Sequence, residues 1–512
     1  MKLVLAIAAL SLLSGIASAE PLAGDVVGCN DNAIATTVLP LGDTDATDND
    51  TCFRVKEGVA PKAGNLPLAV EVARATLIPA CTNYVDAAAA EGGAGTVEDP
   101  HRTIAAAIDA AEPGAVICVA EGVYREELRP GDKPLILAGG FQSGTGFSIR
   151  DSASHVSKAT GDGGGSFILI EDPGPAGDGL TAIDGFEITG YSQAIVRDIW
   201  YSQRFEITNN FIHHNVCADL SLAGAGFALN NVSGAIRDNV FADNSCGRGG
   251  AGFLNDGSNS NSVLIEGNRI ERNEGAEPDS AHGGGLYLFV NDLTIRGNAF
   301  TDNAVTRWGG GLYIGAHTPG GQFTTAGLAW NVYRGNRAGA SGGGFFCDDG
   351  AACFSDHEVY EGNCGGNILV DGGAAGSGPT IARFDHLTNV GAFEAACEAP
   401  GAGILIDTYE GLAADSYSVT NAIFWGNAPG RDIATACESG CVAITLDIAR
   451  SMVQTDYEDG GIAVTFGEGI VDPLDPLFVD AEGGDFRLRP DSPLAGTELG
   501  AYGKAAGNPG AQ

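Results

Sequence analysis

Basic side chains are scarce in this 512-residue chain: 27 lysines and arginines face 65 aspartates and glutamates, for a formal net charge of −38. Nucleic acids and anionic membranes bind through positive patches, so the deficit argues against both as partners. Long apolar runs are missing too. The run from Leu3 to Ile16, preceded by Lys2, falls short of the ~20 residues that span a bilayer. It leads into Ala17-Ser18-Ala19, a small-x-small exit, so residues 1–19 are expected to be a secretory signal peptide with Glu20 as the mature N-terminus. No lipobox cysteine sits at that point, which predicts free release to the extracellular space, the cell surface or the periplasm. Paired Cys-x-x-Cys motifs are absent, which disfavours a cysteine metal site. Charged residues are only 18% against 44% hydrophobic, so this is not a disordered acidic chain.

Glycine and cysteine are plentiful. The 77 glycines have no collagen period and are expected at turns and close backbone approaches. Twelve cysteines in an exported chain predict disulfides. A repeat organises both residue types. A β-branched or apolar strand is followed by Gly-Asn or its equivalent, an apolar or aromatic residue, two further residues, a closing asparagine, a glycine-rich turn and a second apolar strand, and each unit holds about three short strands and three turns. The clearest copy runs from Leu293 to Asn303 and on through Gly309-Gly310-Gly311 to Ile314. The closing asparagines are Asn215, Asn244, Asn273, Asn303, Asn336 and Asn363, at spacings of 29, 29, 30, 33 and 27, with a later copy at Asn427. Strands this short cannot fold alone. Stacked in parallel at ~4.8 Å per coil they form a β-solenoid, here about twelve coils and roughly 55–60 Å long. Asparagine suits such stacking because its amide bonds both backbone and the next amide.

Gly95-Thr96, Asp99-Pro100, Thr103-Ile104, Ala107-Ile108, Pro113-Gly114 and Gly122-Val123-Tyr124 resemble the entry segment of pectate-lyase-like right-handed β-helix proteins. The Gly-Gly-Gly-apolar and Phe/Tyr-x-x-Asn pairs are similar to repeats of polymorphic outer-membrane proteins. Asp475 to Asp480 and Gly484 to Leu488 resemble the closing segment of secreted bacterial β-helix proteins. The resemblance implies an all-β chain, a right-handed parallel β-helix with a short N-terminal capping helix over Thr103–Ala111. The expected division is an acidic disulfide-containing segment at 20–92, the β-helix at 93–480 and a closing segment at 481–512. The fold hosts lyases, hydrolases, epimerases and adhesins alike, so it leaves the activity open.

Equal positions on neighbouring coils lie within disulfide reach, and Cys217 and Cys246 each stand two residues after a ladder asparagine, which predicts a bridge across coils. Cys347–Cys353 and Cys437–Cys441 read as loop staples, Cys29–Cys52 and Cys81–Cys118 as pairs by neighbourhood, and Cys364–Cys397 as the remainder.

The same register sets out two polar columns. His214, Asp243, Arg272 and Asp302 precede the asparagines; Asp219, Arg248, Glu277 and Arg307 follow them by four. One reading is a charge ladder that avoids like neighbours. The other is a groove for polysaccharide, with Trp308 beside Arg307 as a stacking platform. A calcium-dependent lyase acting on uronate polymers would need a base, for which Arg248, Arg272 and Asp243 are the candidates. A complete pectinase-type acid set is absent: Asp348-Asp349 and His282-Gly283 occur in reversed order, and the other two motifs do not occur. The expectation is therefore a non-catalytic binder of polysaccharide or partner proteins, with the lyase as the alternative. One calcium candidate lies outside the repeats, in the closely spaced carboxylates Asp43, Asp45, Asp48 and Asp50.

Overall fold

A computed structural model describes residues 80–503, apart from residues 132 and 200 and the segments 172–178, 257–260, 317–323, 373–377, 392–400, 411–414, 428–430 and 440–443. It also describes the backbone of four N-terminal strands, Val26–Cys29, Val38–Leu39, Cys52–Val55 and Val72–Ala75, which form an antiparallel sheet in a separate compact unit. The carboxylates Asp43, Asp45, Asp48 and Asp50 lie outside the described residues.

From Asn83 onward the chain is a right-handed parallel β-helix. Each full coil visits three sheets in turn. Sheet 1 has 14 strands, from Asn83–Val85 to Ala463–Phe466; sheet 2 has 11, from Gly122–Tyr124 to Ile423–Trp425; sheet 3 has 10, from Ile168–Glu171 to Ile433–Ser439. Between sheets 2 and 3, four coils add two-residue strands that pair into a ribbon: Ser245–Cys246, Glu274–Gly275, Ala304–Val305 and Arg337–Ala338. Parallel pairing starts at Asn83.

Alternation explains the strands. In Asp292–Arg296, Leu293 and Ile295 point inward while Asp292, Thr294 and Arg296 are exposed. Ladder register then stacks like on like, with Val263, Leu293 and Ala326 superposed along the core. The helix α1 (Ile104–Ala110) caps the open end as expected, burying Ile104, Ala107 and Ile108. The Thr103 hydroxyl and the Glu126 carboxylate accept its first N–H groups, at 3.3 Å from Ala106 and 2.9 and 2.8 Å from Ile104 and Ala105. The Lys133 ammonium donates to the carbonyls of Ile108 and Ala111 at the other end, so charge complements the helix dipole at both termini.

Two of the corners each carry an asparagine ladder. The expected ladder, Asn215 to Asn363, closes sheet 2. Each amide donates from Nδ2 to the next Oδ1, as in Asn273 to Asn303 at 2.9 Å, and that same Oδ1 takes the Asn273 backbone N–H at 3.0 Å. A second ladder, Asn210, Asn239, Asn268, Asn298 and Asn331, turns sheet 1 into sheet 2 by the same bonds. It ends on Glu358, whose Oε1 takes both Asn331 donors at 3.0 Å. The residue before each asparagine is left-handed, whether glycine or not: Asp302 has φ 54° and Asp238 φ 56°. That conformation costs about 1–2 kcal/mol for a residue with a Cβ, and the buried ladder bonds offset it. Of the glycine triplets the first residue needs left-handed φ (Gly309, 72°), whereas at Gly310 a Cβ would lie 2.3 Å from the Gly343 carbonyl oxygen. After Asn363 the first ladder shifts to Asn367 and Asn389, and Asn427 hangs from Asn389 at 3.5 Å.

Cys217 and Cys246 are bonded across coils with Cα atoms 4.8 Å apart, and Cys347–Cys353 closes its loop. Cys81, Cys118, Cys364 and Cys437 are also disulfide-bonded. Cys29 and Cys52 are register partners in the antiparallel N-terminal sheet. Cys397 and Cys441 lie outside the described residues.

Candidate binding surface around the short ribbon and sheet 3

The left-handed corner after sheet 2 displays the first predicted column, and the structure brings its middle together. Arg272 grips Asp243 on the preceding coil with two parallel bonds, Nε to Oδ1 at 2.9 Å and Nη2 to Oδ2 at 2.8 Å, and also reaches Glu271 at 3.1 Å. These partners hold the Asp243 carboxyl below the usual carboxylate range and raise the Arg272 guanidinium further. A guanidinium so held stays charged, which opposes its use as a base. His214 is exposed and its Nδ1 lies 2.8 Å from Nδ1 of His213. Asp302 occupies the same left-handed position one coil beyond Arg272.

The second predicted column is only partly a column. Arg248 binds Glu277 at 2.9 Å and the Ser280 carbonyl and hydroxyl at 3.2 and 3.0 Å. Asp219 does not align with it. The turn after Cys217 is longer, so Ala223 is the register partner of Arg248, and Asp219 is exposed and caps the backbone N–H of Ser221. The residues that precede the turn glycines do align. Arg248, His282, Trp308 and Ser341 stand just before Gly249, Gly283, Gly309 and Gly342.

Trp308 is not a free platform. Arg307 lies over its ring at 3.7 Å from the centroid, and His282 stacks with it at 5.1 Å and 20°. Burial first, then the charges of Arg248 and Arg307, push the His282 imidazole down to about 4, so it is neutral near pH 7. Beyond this corner the outer face of sheet 3 carries an aromatic column in strict register, Phe253, Tyr287, Tyr313 and Phe346, continued by Leu369 and Leu405. Successive rings pack at 5.5, 4.8 and 5.0 Å. Tyr313 and Phe346 are buried, while Phe253, Tyr287, Phe289 and Trp308 are partly exposed.

On the far border of that face stand carboxyls that sequence motifs did not single out for binding. Asp348 follows Cys347 and is held by the Tyr313 hydroxyl; Asp371 and Asp407 follow in register on the next two coils. Asp348 is partly exposed. Desolvation raises it to about 7, and desolvation plus the neighbouring aspartates raises Asp371 to about 8. Period-2 alternation in Ile368–Asp371 and Ile404–Glu410 places these aspartates outward, a signal present in the sequence but obscured by the cysteine loop around Asp348-Asp349. On the opposite side of Trp308, the outer face of the ribbon forms a pocket of about 210 Å³ lined by Glu274, Thr306 and Arg337 among others.

Residues 145–383 match the family model described as a right handed beta helix region, in agreement with the sheets and their register. No curated protein matches the chain. Among the described residues no helix is long and apolar enough to cross a membrane.

Proposed function

We propose that this is an exported β-helix protein that binds polysaccharide along one side, across the ribbon pocket, the Trp308 corner and the rim of sheet 3. The observation that supports it is the gathering of three partly exposed rings, Phe253, Tyr287 and Phe289, on adjacent coils of a rigid scaffold. Sugars are recognised by planar rings beside directional polar groups, and here Arg248 and Arg307 supply them on one border and Asp348 on the other. Export is supported by the N-terminal apolar run and by the bonded state of the described cysteines. Of the arginines that would serve a lyase, Arg272 is tied bidentately to Asp243 and Arg248 is paired with Glu277, which favours binding over elimination chemistry.

The test is a glycan array probed with the full chain, followed by titration of a retained glycan. Tyr287→Ala and Phe253→Ala are expected to lower affinity at least tenfold, while Arg296→Ala on the exposed side of sheet 1 leaves it unchanged. An array without retained glycans, or equal affinity in all three variants, refutes the assignment. The lyase alternative is read separately: uronate polymers with and without calcium would yield unsaturated product.

A further inference from the structure

The corner between sheets 1 and 2 carries an Asp-His dipeptide twice, Asp356-His357 and Asp385-His386, on successive coils. Asp356 and Asp385 are register partners at the ends of their strands. The histidines that follow them take the left-handed corner position, with φ 57° and 49°. The turn geometry therefore places the two imidazoles one above the other, 4.4 Å apart and 9° from parallel, with Trp330 of the preceding coil stacked on His357 at 4.2 Å.

Their nitrogens converge. His357 Nδ1 lies 2.6 Å from Asp356 Oδ1, and His386 Nδ1 lies 3.3 Å from the same oxygen and 3.4 Å from Asp385 Oδ2. The donor atoms of Asp356, His357 and His386 all fall within 4.8 Å of one another. Neighbouring ligands around a cation with bonds of about 2.0–2.1 Å sit roughly 3.0–3.4 Å apart, and each imidazole lone pair lies in its own ring plane, so one ion is shared only when the two near-parallel rings tilt toward a common point. A second observation points to a missing ligand. The His357 side chain is 11% exposed, and neither ring nitrogen has a hydrogen-bond partner, although Nδ1 approaches a carboxylate oxygen so closely. Buried polar nitrogens left unsatisfied are costly, and a cation at Nδ1 removes one of the two.

We propose that Asp356, His357 and His386 form a site for a borderline divalent cation of the zinc class, with an Asp385 oxygen as the fourth ligand. Imidazole and carboxylate together suit zinc, nickel or copper rather than calcium, which prefers all-oxygen shells. The other Asp385 oxygen is held by the Thr420 hydroxyl and the Asn421 amide, both at 2.7 Å, leaving Oδ2 oriented toward His386. The half-exposed carboxylates give water access to complete the shell.

Calorimetric titration of the chelator-treated full chain with zinc chloride, and separately with calcium chloride, tests the site. One zinc per chain at micromolar affinity or tighter is expected at this corner, lost at least tenfold in His357→Asn and in His386→Asn. Asparagine tolerates the left-handed corner, so these variants keep the backbone; circular dichroism checks that they fold. Copper loading of the unsubstituted chain gives a second reading, since electron paramagnetic resonance should show two equivalent imidazole nitrogens. Absence of zinc heat, zinc binding that survives both substitutions, or a copper spectrum without nitrogen coupling each overturns the proposal.

Discussion

Glu358→Gln isolates one buried carboxyl. Glu358 is fully buried and replaces asparagine at the end of the second ladder. Desolvation pushes it from 4.5 up to about 8, only partly countered by its bonds from Asn331. Between those two values the folded chain keeps a proton that the unfolded chain has released. Stability is therefore fully present below about pH 4.5 and is lost as pH rises to the folded value of about 8. Each tenfold change in proton affinity is worth about 1.4 kcal/mol, so the group costs on the order of 4–5 kcal/mol once pH exceeds about 8. Glutamine keeps the acceptor for the Asn331 backbone and amide, adds no charge and has the same shape. Asp348 and Asp371 are raised in the same window, so the informative quantity is the difference between variant and parent, not either curve alone. Thermal unfolding by calorimetry at pH 4, 6, 7.5 and 9 should give near-equal midpoints at pH 4 and a variant that gains several degrees by pH 9. Parallel curves across the range would refute the assignment of a neutral buried acid.

The coil geometry bears on stability at two further places. Replacing both Cys217 and Cys246 with alanine opens a bridge spanning 29 residues and should cost about 3–4 kcal/mol in denaturant unfolding; an unchanged midpoint would show that the bridge merely rides on the ladder. Asn303→Ala leaves the buried Asn273 backbone N–H without a partner and removes the amide bond to the Ile270 carbonyl, for a loss of about 2–4 kcal/mol read by the same assay, whereas a cost under about 1 kcal/mol would show that the ladder is not a stabilising element.

Much of the coil is legible in the amino-acid order. The spacing of Asn215 to Asn363 marks one corner, the glycine triplets the next, and Cys217 with Cys246 the cross-coil bridge. Local pattern suffices there because a solenoid repeats one short-range rule, and each coil needs only its neighbours. The second ladder is harder to see. Its members follow varied residues such as Asn209, Asp238 and Trp330, and its end is a glutamate that reads as a surface charge in sequence.

The surface is less legible, for a physical reason. Sequence offsets place residues in columns only while turns keep their length, and the longer turn after Cys217 puts Ala223, not Asp219, opposite Arg248. Offsets also say nothing of what a side chain covers: Trp308 stands where expected, but its faces are taken by Arg307 and His282. Strand alternation, stacking and the corner asparagines are short-range and periodic, so the order of residues alone specifies them. Encounters among residues roughly thirty apart arise only once the coils are stacked: the aromatic column of sheet 3, the burial that raises Asp348 and Asp371, and the meeting of two Asp-His corners. Those depend on the register between coils and on the local dielectric, which no single repeat encodes.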